Sequence, residues 1–174
     1  MKPYSNTDKK ILALIGILSS LLALGCLIVG LEATHYDAEA FADPLKLLDM
    51  PGISPDLIRW FMLLDMFGYY LLLLPVVFYV HRQLALKTPW SPLFTSLGFG
   101  YVITGAIGAA VLAVVWPSIL EKHSIASGAL KEIYKADFLL ATDFVVKAMW
   151  NYLEVLMGGV WWIAVGFFMK VIRV

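Results

Sequence analysis

Two carboxylates, Asp65 and Glu154, stand inside apolar runs long enough to cross a bilayer. An ionisable group at that depth costs about 3 kcal/mol or more unless it is paired or hydrated, so each is a candidate site by default. Around Glu154 the sequence sets Asp143, Lys147 and Asn151 at intervals of four, four and three, which puts the four side chains on one face of an α-helix. This stripe reads as a polar path from the outer surface into the membrane, with Lys147 able to neutralise either acid on its own helix. With Trp60 and Trp150 taken as interface anchors, Asp65 lies roughly 8 Å and Glu154 roughly 6 Å below the outer boundary, so the two acids share a depth. Asp65, Asn151, Glu154, Lys147 and Tyr69 form the candidate ligand-binding set, of a kind that suits a proton, a cation or a small amphiphile. A plain structural reading stands beside it: Glu154 hydrogen-bonds Asn151, Tyr69 or a loop amide and so fixes helix register.

Other chemistry is sparse. The three histidines, His35, His81 and His123, have no metal or haem spacing. Only His35 and His123, both outer, could share a metal, with Asp37 or Glu121 completing it; surface imidazoles are the alternative. There is no nucleophile elbow, phosphate loop, dinucleotide fingerprint or metalloprotease motif, which leaves cofactors unknown and a membrane enzyme open. The one cysteine, Cys26, lies within an apolar run and reads as a small packing residue.

The elements that must carry these residues follow from composition. With 61% apolar and 15% charged residues among 174, and a mean hydropathy of +0.82, the chain holds more apolar surface than one soluble core buries. Four stretches reach spanning length, about 11–31, 60–80, 93–116 and 148–169. The first, preceded by Lys2, Lys9 and Lys10, is too long in its apolar core for a signal peptide and reads as a helix. The fold expected is all-α, a single membrane domain over 1–174 with four transmembrane helices and short amphipathic helices in the two outer segments.

Basic residues set the orientation. Lys2, Lys9 and Lys10, Arg82 and Lys87, and Lys170 and Arg173 mark one side, whereas acids outnumber bases in 32–59 and 117–147. Both termini are therefore expected to be cytoplasmic. No basic tract suggests nucleic acid.

Helix starts are expected at Ser54-Pro55-Asp56 and at Ser91-Pro92. A stop is expected at Trp116-Pro117, with Ser118 and Glu121 opening a new amphipathic helix that reaches Asp143 and runs on toward the fourth span. Pro44 and Pro51-Gly52 break the first outer segment into short helices, and Pro75 is expected to kink the second span. Gly100, Thr104 and Gly108, with Gly105 and Ala109 alongside, make a smooth face suited to close packing inside the bundle, or to a homo-oligomer or partner membrane subunit. Trp161 and Trp162 lie deep, as a pocket wall or as bundle filling.

"SLGFGYVITGAIGAAVLAVVWPS" and "MWNYLEVLMGGVWWIAVGFF" resemble stretches of uncharacterised multi-pass bacterial membrane proteins. The resemblance implies a bacterial plasma-membrane location and no known activity. It covers the last half of the chain, and the relatives often have six spans where four are expected here. Three functions stay open: a module binding a lipid, small amphiphile or cation in an outward-facing polar pocket; an accessory or scaffold subunit of a membrane complex; and a membrane enzyme whose site is formed by the outer segments.

Overall fold

Apolar runs of this length bury their backbone polar groups most cheaply as helices. In a computed structural model, which describes residues 5–170, every regular element is helical. Four helices are long and apolar enough to cross a membrane: α1 (Asn6–Ala33), α2 (Pro55–Leu84), α3 (Ser91–Ile125) and α4 (Ala129–Lys170). All four expected spans fall within them. α1 packs on α2, α2 on α3, and α3 on α4. Half of the most apolar window of α3 is buried against 11% of that of α1, so α3 is the central post and α1 a peripheral helix.

Local chemistry sets most ends. Ser5 and Asp8 form a reciprocal capping box ahead of α1, and Ser54 Oγ accepts from Leu57 N with Pro55 in the first turn of α2. α3 starts one residue earlier than the Ser91-Pro92 reading placed it, with Trp90 as the cap and Ser91 already helical and buried.

The expected stop at Trp116-Pro117 does not occur. α3 continues through Pro117 to Ile125, and no new helix begins at Ser118. A proline inside a helix costs about 3 kcal/mol. Here its neighbours are committed to packing: Trp116, Pro117 and Leu120 are all buried, Trp116 stacks on Phe138, and its indole N–H donates to Thr142 Oγ1 at 2.9 Å. The break comes instead at 126–128, where Gly128 has φ +56°, ψ −138°, a conformation a side chain would strain. The Ser127-Gly128 pair was its signal.

α2 and α4 are not uniform α-helices. In α2, i→i+5 bonding over Met66–Tyr70 and a tight turn over Leu71–Leu73 precede Leu74–Leu84. Pro75 thus stands in the first turn of a renewed α-helix, where its missing N–H is least costly. Gly68 lies at this wide turn, and an added Cβ there would come within 2.6 Å of Ala23 N. The closeness lets Ser19 Oγ of α1 donate to Gly68 O. In α4 the wide i→i+5 form extends over Asp143–Glu154 before Val155–Lys170 resumes the α-helix.

The first outer segment folds as expected, into a tight turn at Ala38–Phe41 and a short helix at Pro44–Leu48, the latter capped by Asp43. Ala40, Leu47 and Leu48 bury against Ile58, Trp116, Leu120 and Phe138, outside or at the edge of the spans. Burying a leucine there is worth roughly 2 kcal/mol. Tyr70, Val77, Val80, Leu84, Val102, Ala106 and Trp161 form a second core nearer the other end.

Candidate functional site

Glu154 is buried, and its partner is Tyr70, whose hydroxyl donates to Oε1 at 3.1 Å and Oε2 at 3.2 Å. Neither Asn151 nor Tyr69 is bonded to it; both are exposed. The wide turn of α2 explains the exchange. In a regular α-helix Asp65 would share a face with Tyr69, four residues on. Bonding at i→i+5 over Met66–Tyr70 carries Tyr69 outward and brings Tyr70, five residues on, to the inner face.

The same effect dissolves the polar stripe of α4. Val145 and Glu154 are the buried residues of Asp143–Glu154, although nine residues make about two and a half turns of an α-helix and would put them on opposite faces. The wide helix brings both inward, with Asn151 and Lys147 left exposed. Lys147 pairs with Asp143 at 2.7 Å, at the surface, and does not neutralise Glu154. Arg59 likewise pairs with Asp56 at 2.7 Å, away from Asp65.

Asp65 is half-buried, and its Oδ2 is shut off from water with no hydrogen-bond partner. Asp65 and Glu154 lie within electrostatic range of each other and of Tyr70. The arrangement therefore holds two acids among apolar side chains, one phenol hydrogen that is given to Glu154, and no base among the ion pairs described. A carboxylate ionised there requires a proton or a cation to offset its charge.

α3 supplies the wall. A Cβ at Gly105 would lie 1.9 Å from Tyr70 Cε1, so only glycine lets the ring reach Glu154. Trp150 Nε1 donates to Gly105 O at 3.3 Å, and Tyr101 meets Tyr70 edge-on at 6.1 Å. The smooth face noted in the sequence is thus used within the chain, Gly100 lying under Met157 and Gly108 under Trp150. Trp161 is 1% exposed and packs on Gly98, while Trp162 is half-exposed. Tyr70, Tyr101 and Trp150 are the site residues sequence reasoning missed; the Tyr69-Tyr70 pair was a signal, but it does not say which ring turns inward.

The outer histidines differ in setting. His35 is exposed with φ +51°, and His123 is buried in the last turn of α3. Among the described residues no three His, Cys, Asp or Glu side chains gather to hold a metal. His81 Nδ1 contacts Thr95 Oγ1 at 2.7 Å, tying α2 to α3. Cys26 is buried, with Sγ 3.4 Å from Phe61 O, as a packing residue would be. Between α3 and α4 an apolar groove of about 450 Å³ is lined by Val111, Val115, Ile119, Leu140 and Phe144, with Asp137 as its one acid.

The fold, the buried Glu154 and the half-buried Asp65 define an all-helical protein with four helices of membrane-spanning length and a polar centre between α2 and α4. No protein family, curated protein or solved structure matches the chain.

Proposed function

We propose that this is a small multi-pass membrane protein that takes up a proton or a monovalent cation at a centre formed by Asp65, Glu154 and Tyr70. The observation that carries the reading is the partnerless, water-excluded Oδ2 of Asp65 beside a Glu154 whose described donor is one phenol. A merely structural pair of acids would have each oxygen bonded, because an unsatisfied buried polar atom costs about 1–3 kcal/mol. Entry is from the outer side, both termini are cytoplasmic, and the membrane is a bacterial plasma membrane; charge distribution supports the first two and the resemblance of the last half of the chain the third.

A scaffold or accessory subunit is supported less well, since the Gly100, Thr104 and Gly108 face is covered by the chain itself at Gly100 and Gly108. An enzyme built on a metal at the outer histidines gains no support, since among the described residues no three ligating side chains gather. Binding of an amphiphile keeps one favourable observation, the apolar groove beside Asp137, which fits the tail of a lipid-like amine.

The test is thermal stability of the detergent-purified chain across pH 4 to 9 with lithium, sodium or potassium, for wild type, Asp65→Asn and Glu154→Gln. Stabilisation of wild type by one cation or by acid, lost in both variants, is expected. Equal responses of all three proteins would overturn the reading.

A further inference from the structure

A second site lies at the outer end of the bundle, away from Asp65 and Glu154. The loop after the short helix, the last turn of α3 and the first turn of α4 enclose a pocket of about 340 Å³ lined by Asp49, Gly52, Leu120, His123, Ser124 and Lys131, among others. His123 is 4% exposed, and its Nε2 is cut off from water without a hydrogen-bond partner. The nearest acid atom, Asp49 Oδ1, is 3.7 Å away, too far for a hydrogen bond between them. Lys131 is exposed and has no ion pair among the described residues.

These groups restrict what fits. A simple anion would suit Lys131 but face Asp49, and a simple cation the reverse. Asp49 is exposed and its Oδ1 stands 3.7 Å from the covered Nε2, so a turn of that carboxylate would open Nε2 to one donor group lying beside both atoms and bonding each, and a primary ammonium has three N–H bonds to give. Lys131 would then answer an anionic oxygen a short chain away. Depth narrows the choice further: His123 lies seven residues beyond Trp116, roughly 10 Å along the helix and so at the outer edge of the headgroup layer.

We infer that the pocket formed by Asp49, His123 and Lys131 binds a phosphoethanolamine group, its ammonium shared by Asp49 and His123 and its phosphate met by Lys131. A choline group fails there because a quaternary ammonium has no N–H to donate. The group is either the head of a membrane lipid or a free small molecule.

The full chain is placed in nanodiscs of phosphatidylcholine alone or with an equal part of phosphatidylethanolamine, and lipid retained after transfer to detergent is read by native mass spectrometry. Phosphatidylethanolamine is expected to be retained about tenfold over phosphatidylcholine, the worth of one charge-assisted hydrogen bond. Asp49→Asn is expected to abolish the preference, and Lys131→Gln to lower the amount of phosphatidylethanolamine retained, both being substitutions at exposed residues. In phosphatidylcholine discs, stabilisation by O-phosphoethanolamine but not phosphocholine shows that the free group suffices; retention of the lipid without that effect assigns the site to the lipid. Equal retention of the two lipids with no effect of O-phosphoethanolamine, selectivity that survives Asp49→Asn, or retention unchanged by Lys131→Gln would overturn the inference. His123→Gln is read only if it folds, and the two surface variants decide the matter without it.

Discussion

Tyr70 links α2 to α4 through a single hydroxyl hydrogen placed almost equally between the two oxygens of Glu154. Removing it with Tyr70→Phe leaves Glu154 without its described donor, and about 1 kcal/mol of stability is expected to be lost. Tyr69→Phe is the internal control and should change nothing, since that ring points outward. Unfolding of the two variants in mixed micelles, followed by tryptophan fluorescence, makes the comparison. Gly105→Ala acts on the same contact from the other side. The methyl group would overlap the Tyr70 ring, so the ring must leave Glu154, and a loss of about 1–3 kcal/mol is expected. Gly166→Ala meets no atom within 4 Å and should be neutral in the same assay.

At the scale of elements, the two wide-helix segments matter most. Each changes which residue faces inward, and Asp65 and Glu154 stand next to or within them. Wide turns of this kind recur at functional sites. The outer cap is held differently, by charge at its surface: Lys46 reaches Asp37 at 2.7 Å and Glu39 at 3.3 Å. The Lys46 hydrogen bond holds the Asp37 carboxyl below its ordinary range, and Asp37 in turn raises Lys46. A depressed acid contributes stability above its unfolded pKa of about 4 and loses it as pH falls through the lower folded value. Amide hydrogen exchange over 37–47 is therefore expected to quicken at and below about pH 4, corrected for the intrinsic rate, and Lys46→Gln should show the faster exchange already at neutral pH. A cap whose exchange is unaffected by Lys46→Gln would owe its order to Leu47 and Leu48 alone.

For the whole molecule, the proposed membrane reading gives four spans, an even number that would return the chain to the side on which it began. Lysines and arginines cluster at both ends and at 82–87, while the outer segments carry the excess of acids. Reporter fusions at residue 1 and residue 174 are expected to be active in the cytoplasm alone, and a tag inserted at 127 to be reached from outside. A terminus found outside would reverse the side from which a cation reaches Asp65.

The sequence by itself determined the helical class, the four helices of spanning length, the short cap helices broken at Pro44 and Pro51, and the presence of two acids in apolar runs. Those features depend on composition and on local chemistry at helix ends, which neighbouring residues settle. The tertiary structure alone decided that α3 runs through Pro117, because Trp116 and Leu120 gain more from packing than the proline costs. It alone decided that Tyr70 rather than Tyr69 meets Glu154, and that Lys147 and Asn151 face away from it. Counting residues around a helix assumes a fixed turn, and here two segments widen it. What sets their facing is the fit of aromatic rings against glycines of another helix, a contact between residues such as Tyr70 and Gly105 that lie far apart in the chain.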